Sequence, residues 1–280
     1  MQFTPEHLMR GATIALCGAS KSGKTSALLP LIEDGWTLHY IDLDRNLQPF
    51  SRLTPAQYAN LKLYRPDISP TNLYTVMMKF IVTGVLNICE EHGTFGCKPC
   101  STVKAPFETT NFRELTGKNA IVIDSYTVLF EAIKATIVAI NGIDITKISK
   151  VDLGFHNAVK LVSGRLFHGL VGLNANVPLI ILTHLVDIND GIALDSSAKK
   201  TPMYIPILGS RSFSRLDGVK MLSAVVAMDE AGTLITEKGK GYLVNNSLVL
   251  PPDVKTFGDY MAVLLKASKS GTSNPSAVPF

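Results

Sequence analysis

Eight residues near the start of the chain, Gly18-Ala19-Ser20-Lys21-Ser22-Gly23-Lys24-Thr25, match the pattern G-x-x-x-x-G-K-[ST] in full. The pattern constrains the fold because its chemistry works only where a strand feeds a loop that opens a helix. Upstream, residues 12–17 form an apolar β-type run. Downstream, Ser26-Ala27-Leu28-Leu29 reads as the first turn of a helix, interrupted early by Pro30. In that setting the glycines let the loop curl until its backbone N–H groups face a polyphosphate, and the helix N-terminus adds the positive end of its dipole. The cradle so read runs from Gly18 through Ala19, Ser20, Lys21, Ser22 and Gly23 to Ser26. Lys24 would reach the β- and γ-phosphates, and the Thr25 hydroxyl would ligate Mg²⁺.

Two further apolar runs end in acids. Residues 36–41 read as a strand that delivers Asp42 and Asp44, and residues 119–123 read as a buried strand closed by Asp124 and Ser125. In open α/β sheets ligands lie beyond the carboxyl ends of the strands, so these carboxylates are expected beside the loop. Asp124 has the place of the acid that reaches the Mg²⁺ shell. Residues 177–182 form a third buried run, ending in Thr183 and His184 at the same edge. Residues 61–64 suggest a short strand. Helical spacing of Leu73, Val76, Met77, Phe80, Ile81 and Val85 predicts a helix over 71–91, and another is expected over 151–173.

From 187 to 217 the chain turns polar and small, which marks a loop carrying Lys199, Lys200, Tyr204, Arg211, Phe213 and Arg215. Alternation over 219–246, around turn signals at 229–232 and 238–241, predicts an antiparallel meander. Helical spacing returns over 253–266, and 266–280 has the composition of a disordered tail. His39, His156 and His168 read as ordinary packing or surface histidines.

Cys89, His92, Cys97 and Cys100 are spaced C-x₂-H-x₄-C-x₂-C. Four soft or borderline ligands within twelve residues suit a closed, tetrahedral, structural Zn²⁺ site. It would pin a small insertion, 89–105, that has few apolar residues of its own. The alternative is three reduced cysteines in a loop.

Bulk composition excludes several classes. With 280 residues, 46% of them hydrophobic, the chain can bury one large α/β core. Four cysteines do not make a disulfide scaffold, the N-terminus lacks the pattern of a secretory signal, and no apolar run is long enough to span a bilayer. A cytoplasmic protein without membrane contact is expected. The net charge of +4 permits a polyanionic partner without demanding one.

The order of these parts, with the segment Tyr40-Ile41-Asp42-Leu43-Asp44-Arg45-Asn46-Leu47-Gln48-Pro49 between the loop and Asp124, resembles the RecA-like ATPases. Within them it is most similar to small phage-encoded members related to Sak-type single-strand annealing proteins. The resemblance covers roughly residues 10 to 250. It implies a RecA-like P-loop NTPase core over 1–265, with a mostly parallel central sheet, C-terminal antiparallel strands and the Cys/His insertion. It implies ATP and Mg²⁺ as ligands, and the chain carries no N-K-x-D guanine motif. Asp44 falls where the family has a water-orienting Glu, one methylene longer, and His184 falls at the γ-phosphate sensor. The catalytic set so implied is Lys24, Asp44, Asp124 and His184. Further implications are a ring or filament completed by a basic residue from a neighbour, Arg211 or Arg215, and action on single-stranded DNA in phage recombination, annealing or replication in a host bacterial cytoplasm. A ring helicase or packaging translocase shares this core, and a nucleotide-binding accessory protein without rapid turnover is the non-enzymatic reading. The Pro279-Phe280 end loosely resembles the tip by which single-strand-binding proteins dock onto partners.

Overall fold

Three strands with apolar, buried interiors organise the molecule. In the computed structural model, which describes residues 11–66, 70–142, 153–173, 176–187, 204–209, 214 and 218–228, they are β1 (Thr13–Gly18), β7 (Asn119–Asp124) and β8 (Leu179–Thr183). Each is buried on both faces, as a central parallel strand must be. With β2 (Thr37–Asp42), β3 (Leu61–Pro66), β4 (Val85–Cys89), β5 (Thr94–Phe95), β6 (Phe107–Asn111) and β11 (Ala224–Met228) they form a nine-stranded sheet, in the order β11-β1-β8-β7-β2-β3-β5-β4-β6. All pairs from β11 through β5 are parallel, and only β5–β4 and β4–β6 are antiparallel. The result is a mixed α/β fold with a mostly parallel sheet. A separate antiparallel pair joins β9 (Leu185–Asp187) to β10 (Tyr204–Pro206).

Alternating residues split the core into two layers. Ala15, Cys17, Ile41, Ile121, Ile123 and Ile181 face one side, in one core with buried residues of α3 (Pro70–Thr83), α5 (Tyr126–Asn141) and α6 (Leu153–Val171). Ile14, Leu16, Leu38, Tyr40, Val122 and Leu182 face the other, against Leu28 and α1 (Leu29–Glu33) and against Phe50 of a 3₁₀ turn, Gln48–Arg52. The small α2 (Pro55–Tyr58) starts in a capping box between Thr54 and Gln57. No described helix is long and apolar enough to cross a membrane.

Several expectations change. The loop opens onto a 3₁₀ turn, Ser26–Leu28, and only then onto the five-residue α1, so the dipole behind it is short. Pro30 lies in the first turn of α1, where its missing N–H interrupts nothing. The helix expected over 71–91 ends at Thr83, because Gly84 turns the chain at φ +74° and residues 85–89 leave as β4. The apolar run that follows Asp124 builds α5, which sequence spacing did not single out; Ser125 caps it by accepting from the Val128 amide, and Gly142 ends it at φ +60°.

The expected C-terminal antiparallel strands are corrected in part. β11 runs parallel to β1, with Ile14 opposite Ala224 and Gly18 opposite Met228. Residues 229–246, 253–266 and the 266–280 tail lie outside the described residues.

Candidate functional site

The octapeptide loop leaves the end of β1 in a tight shape that its glycines relieve. A Cβ on Gly18 would stand 2.5 Å from the Ser22 hydroxyl and 3.0 Å from the Met228 carbonyl, and Gly23 takes φ +83°. Lys21 also lies in the left-handed region, at φ +65°. Among the described residues the Lys21, Gly23 and Lys24 amides donate to no acceptor. The Ser22 amide between them donates to the Ala19 carbonyl at 3.3 Å; unspent backbone donors in such a curled loop make an anion-binding concavity. Lys24 Nζ folds back to donate to the carbonyls of Gly18 (3.1 Å) and Ala19 (2.6 Å). Burial pulls its pKa down, and Asp124, Cys17 and Asp44 oppose that pull.

Strand order sets what meets the loop. β8 lies between β1 and β7, so the ends of all three converge. Thr25 Oγ1 donates to Asp124 Oδ2 at 2.8 Å, and the Tyr40 hydroxyl donates to the same oxygen. Burial holds the Asp124 carboxyl above its usual range; the two hydroxyls oppose this, while Asp44 and Asp42 reinforce it. The amides of Leu43 (2.5 Å) and Asp44 (3.1 Å) both donate to the Asp124 carbonyl, which brings Asp44 to the same edge. The half-buried His184 is shifted down by burial and by Lys24, and up by Asp44. Its amide donates to Thr127 Oγ1 (3.0 Å) and its carbonyl accepts from the Ile207 amide (2.9 Å).

Ser20, Lys21, Gly23, Lys24, Thr25, Ser26, Asp44, Asp124 and His184 thus line one cavity of about 750 Å³, within the size range of small-molecule sites. Gly18, Ala19 and Ser22 of the expected cradle do not line it. Gly18 and Ser22 are buried, and Ala19 serves as an acceptor for Lys24. The far wall comes from Asn46, Gln48, Pro49, Ser51 and Arg52, residues given no role by the sequence patterns. Asp42 is not part of the lining; it is fully buried and accepts from Arg65 Nε at 3.1 Å. Lys199, Lys200, Arg211, Phe213, Arg215 and the 279–280 end lie outside the described residues.

The second site is the cysteine cluster. Cys89 ends β4, His92 follows in the turn, and Cys97 and Cys100 flank the start of α4 (Lys98–Val103). His92 Nδ1 stands 3.1 Å from Cys100 Sγ, 3.6 Å from Cys97 Sγ and 3.7 Å from Cys89 Sγ. All four ligand atoms fall within 4.8 Å of one another. A tetrahedron with Zn–S and Zn–N bonds of ordinary length has N···S edges of about 3.6 Å and S···S edges of about 3.8 Å. The donor set and its spacing therefore fit a structural metal such as zinc. At Cys89 burial pushes the thiol up, but donation from Thr94 and His92 outweighs it and brings the pKa to about 6, toward the thiolate a metal needs. Burial and the neighbouring cysteines push Cys100 up to about 12.

His39 keeps the packing role expected of it. Buried, it meets Tyr64 Oη (2.9 Å) through Nδ1 and Asn119 Oδ1 (3.0 Å) through Nε2. His156 and His168 are exposed. No protein-family model matches the chain, and no curated protein matches it.

Proposed function

We propose that the cavity binds Mg²⁺-ATP and that the protein is a RecA-like ATPase acting on single-stranded DNA. The observation that carries the nucleotide reading is the convergence in one cavity of unspent loop amides, Lys24, the Thr25–Asp124 pair and Asp44. The fit to a hard cation is supported by oxygen donors alone on the metal side, and by a Thr25 hydroxyl whose proton is given to Asp124. That donation leaves the Thr25 lone pairs for the ion. The order β1-β8-β7, which sets His184 between the loop and Asp124, supports the RecA-like reading. The single-stranded DNA partner, the ring or filament and the phage setting rest on the motif resemblance.

The chemistry asked of the chain is positioning and charge stabilisation. Loop amides and Lys24, released from the Gly18 and Ala19 carbonyls, hold the phosphates. Thr25 and Asp124 hold Mg²⁺, which supplies charge neutralisation at the phosphate oxygens. Asp44 would orient the attacking water, and His184, which lines the cavity, would sense the departing phosphate. Because Asp44 is exposed and one methylene shorter than Glu, slow turnover is the favoured second reading.

Binding of a fluorescent ATP analogue with and without Mg²⁺, followed by ATP hydrolysis with and without single-stranded DNA, tests this. Micromolar binding with DNA-stimulated turnover and strand annealing supports the proposal. Unwinding supports the helicase reading, binding without turnover the accessory role, and absence of nucleotide binding refutes the site.

A further inference from the structure

Tyr40 has a hydroxyl that the nucleotide reading leaves without a task. Its ring is fully buried and packs edge-on against Phe50, with centroids 5.0 Å apart at 87°. Phe50 belongs to the Gln48–Arg52 turn that builds the cavity's far wall. In the sheet Tyr40 pairs with Val122, two residues before Asp124 on the same strand. That diagonal is within reach of a long aromatic side chain, and the phenol ends on Asp124 Oδ2, the oxygen that also takes the Thr25 proton.

Two donors on one carboxylate oxygen have a geometric consequence. A carboxylate held by Thr25 alone can rotate and offer either oxygen. Held also from beneath by a phenol fixed in the core, it presents Oδ2 in one place. The Thr25 hydroxyl then has one acceptor direction, and its lone pairs have one complementary direction, toward the cavity. A Phe at position 40 would fill the same volume and leave Asp124 free to turn.

We propose that Tyr40 is a positioning residue for metal-dependent nucleotide binding, acting through Asp124 on the Thr25 hydroxyl. The inference rests on the Mg²⁺-nucleotide reading of the cavity, and the two fail differently. If the wild-type chain shows no Mg²⁺-dependent nucleotide binding, the site reading falls, and with it this role. If the wild type binds and Tyr40→Phe binds equally well with Mg²⁺, only the Tyr40 role falls.

The experiment is titration of a fluorescent ATP analogue into wild type and Tyr40→Phe, in saturating Mg²⁺ and in EDTA. Loss of one hydrogen bond to a charged group predicts about tenfold weaker binding with Mg²⁺. Binding in EDTA should be unchanged within about twofold, because loop amides and Lys24 do not depend on the phenol. Equal weakening in both conditions marks a merely structural residue and overturns the proposal. Should Tyr40→Phe fail to fold, 3-fluorotyrosine placed at position 40 reads the contact without removing it. Its fluorine resonance should shift when Mg²⁺ is added to the nucleotide-bound protein, and a resonance that stays put overturns the assignment.

Discussion

Zinc held by the proposed Cys89–His92–Cys97–Cys100 site should, on removal, let the knuckle unfold while the central strands β1, β7 and β8 hold. The three observed N···S distances depart from a zinc tetrahedron's edge of about 3.6 Å by at most about 0.5 Å, so the site closes with little rearrangement. Structural zinc sites of this kind contribute an apparent ~10 kcal/mol or more, comparable with the whole stability of a domain. The knuckle's own buried cluster is the three cysteines with Ala105 and Phe107 against them. Its ties to the rest of the molecule include the two-residue β3–β5 ladder at Arg65–Thr94 and Pro66–Phe95, the Phe95 ring buried in the main core, and Asn72 donating to the Gly96 carbonyl at 3.0 Å. Without the metal, the ligand-bearing turn at 90–93 and α4 should therefore lose most of their amide protection, and Phe95 should keep its place in the core. β1, β7 and β8, buried on both faces far along the sheet order, should keep theirs. The assay is elemental analysis of protein purified under reducing, chelator-free conditions, then hydrogen exchange of the wild type before and after chelation and of Cys97→Ser. About one zinc per chain is expected, with protection at 90–93 and in α4 falling by about a thousandfold or more in both perturbed samples. Metal-free protein with unaltered exchange in Cys97→Ser would show that no structural metal holds the knuckle.

Three other outcomes follow from single residues. Lys24→Ala should weaken ATP binding by at least about a hundredfold, since it removes a buried cation from the proposed phosphate site, while thermal unfolding shifts little. Asp44→Asn should lower hydrolysis about a hundredfold or more, and Asp44→Glu should raise it by restoring the reach of the missing methylene, both read by phosphate release at saturating ATP. Burial pulls the His39 pKa below its ordinary 6.5, so the unfolded chain binds its proton first. Stability from this residue is present above pH ~6.5 and falls with acid by up to about 1.4 kcal/mol per pH unit until the folded-state pKa is passed, a slope absent from His39→Gln in urea melts.

What could be read from the sequence follows from how local each signal is. The loop glycines, Lys24 and Thr25 are legible because their backbone requirement is met by neighbours in sequence, and the same holds for the Cys/His spacing. The strands ending at Asp124 and Thr183 are legible because a strand buried on both faces carries an unbroken apolar run, Ala120–Ile123 and Leu179–Leu182. The strand ending at Asp42 is broken by His39 and reads as β-type from its β-branched and aromatic residues. The direction of β11 was not legible. Alternation reports that one face is buried and says nothing about whether the partner runs parallel, and here the partner is β1, some two hundred residues away. The helix over 71–91 was overrun for a similar reason: Val85 and Ile88 continue an apolar spacing that Gly84 has already turned into a strand.

The wall residues and Tyr40 show the same limit at the site itself. Tyr40 stands one position before Ile41 in a strand whose apolar pattern accounts for it fully, and nothing nearby in sequence asks for a hydroxyl. Its role depends on β7 being the neighbour of β2, and on the register that sets Tyr40 opposite Val122 and Asp42 opposite Asp124. With Asp124 two residues beyond Val122 on the same face, the phenol reaches the carboxylate from the core, as the Thr25 hydroxyl meets it from the loop. A one-residue slip in that register would turn Tyr40 to the opposite layer and leave Asp124 with a single donor. The strand pairing, rather than the motif, thus decides how tightly the carboxylate is held.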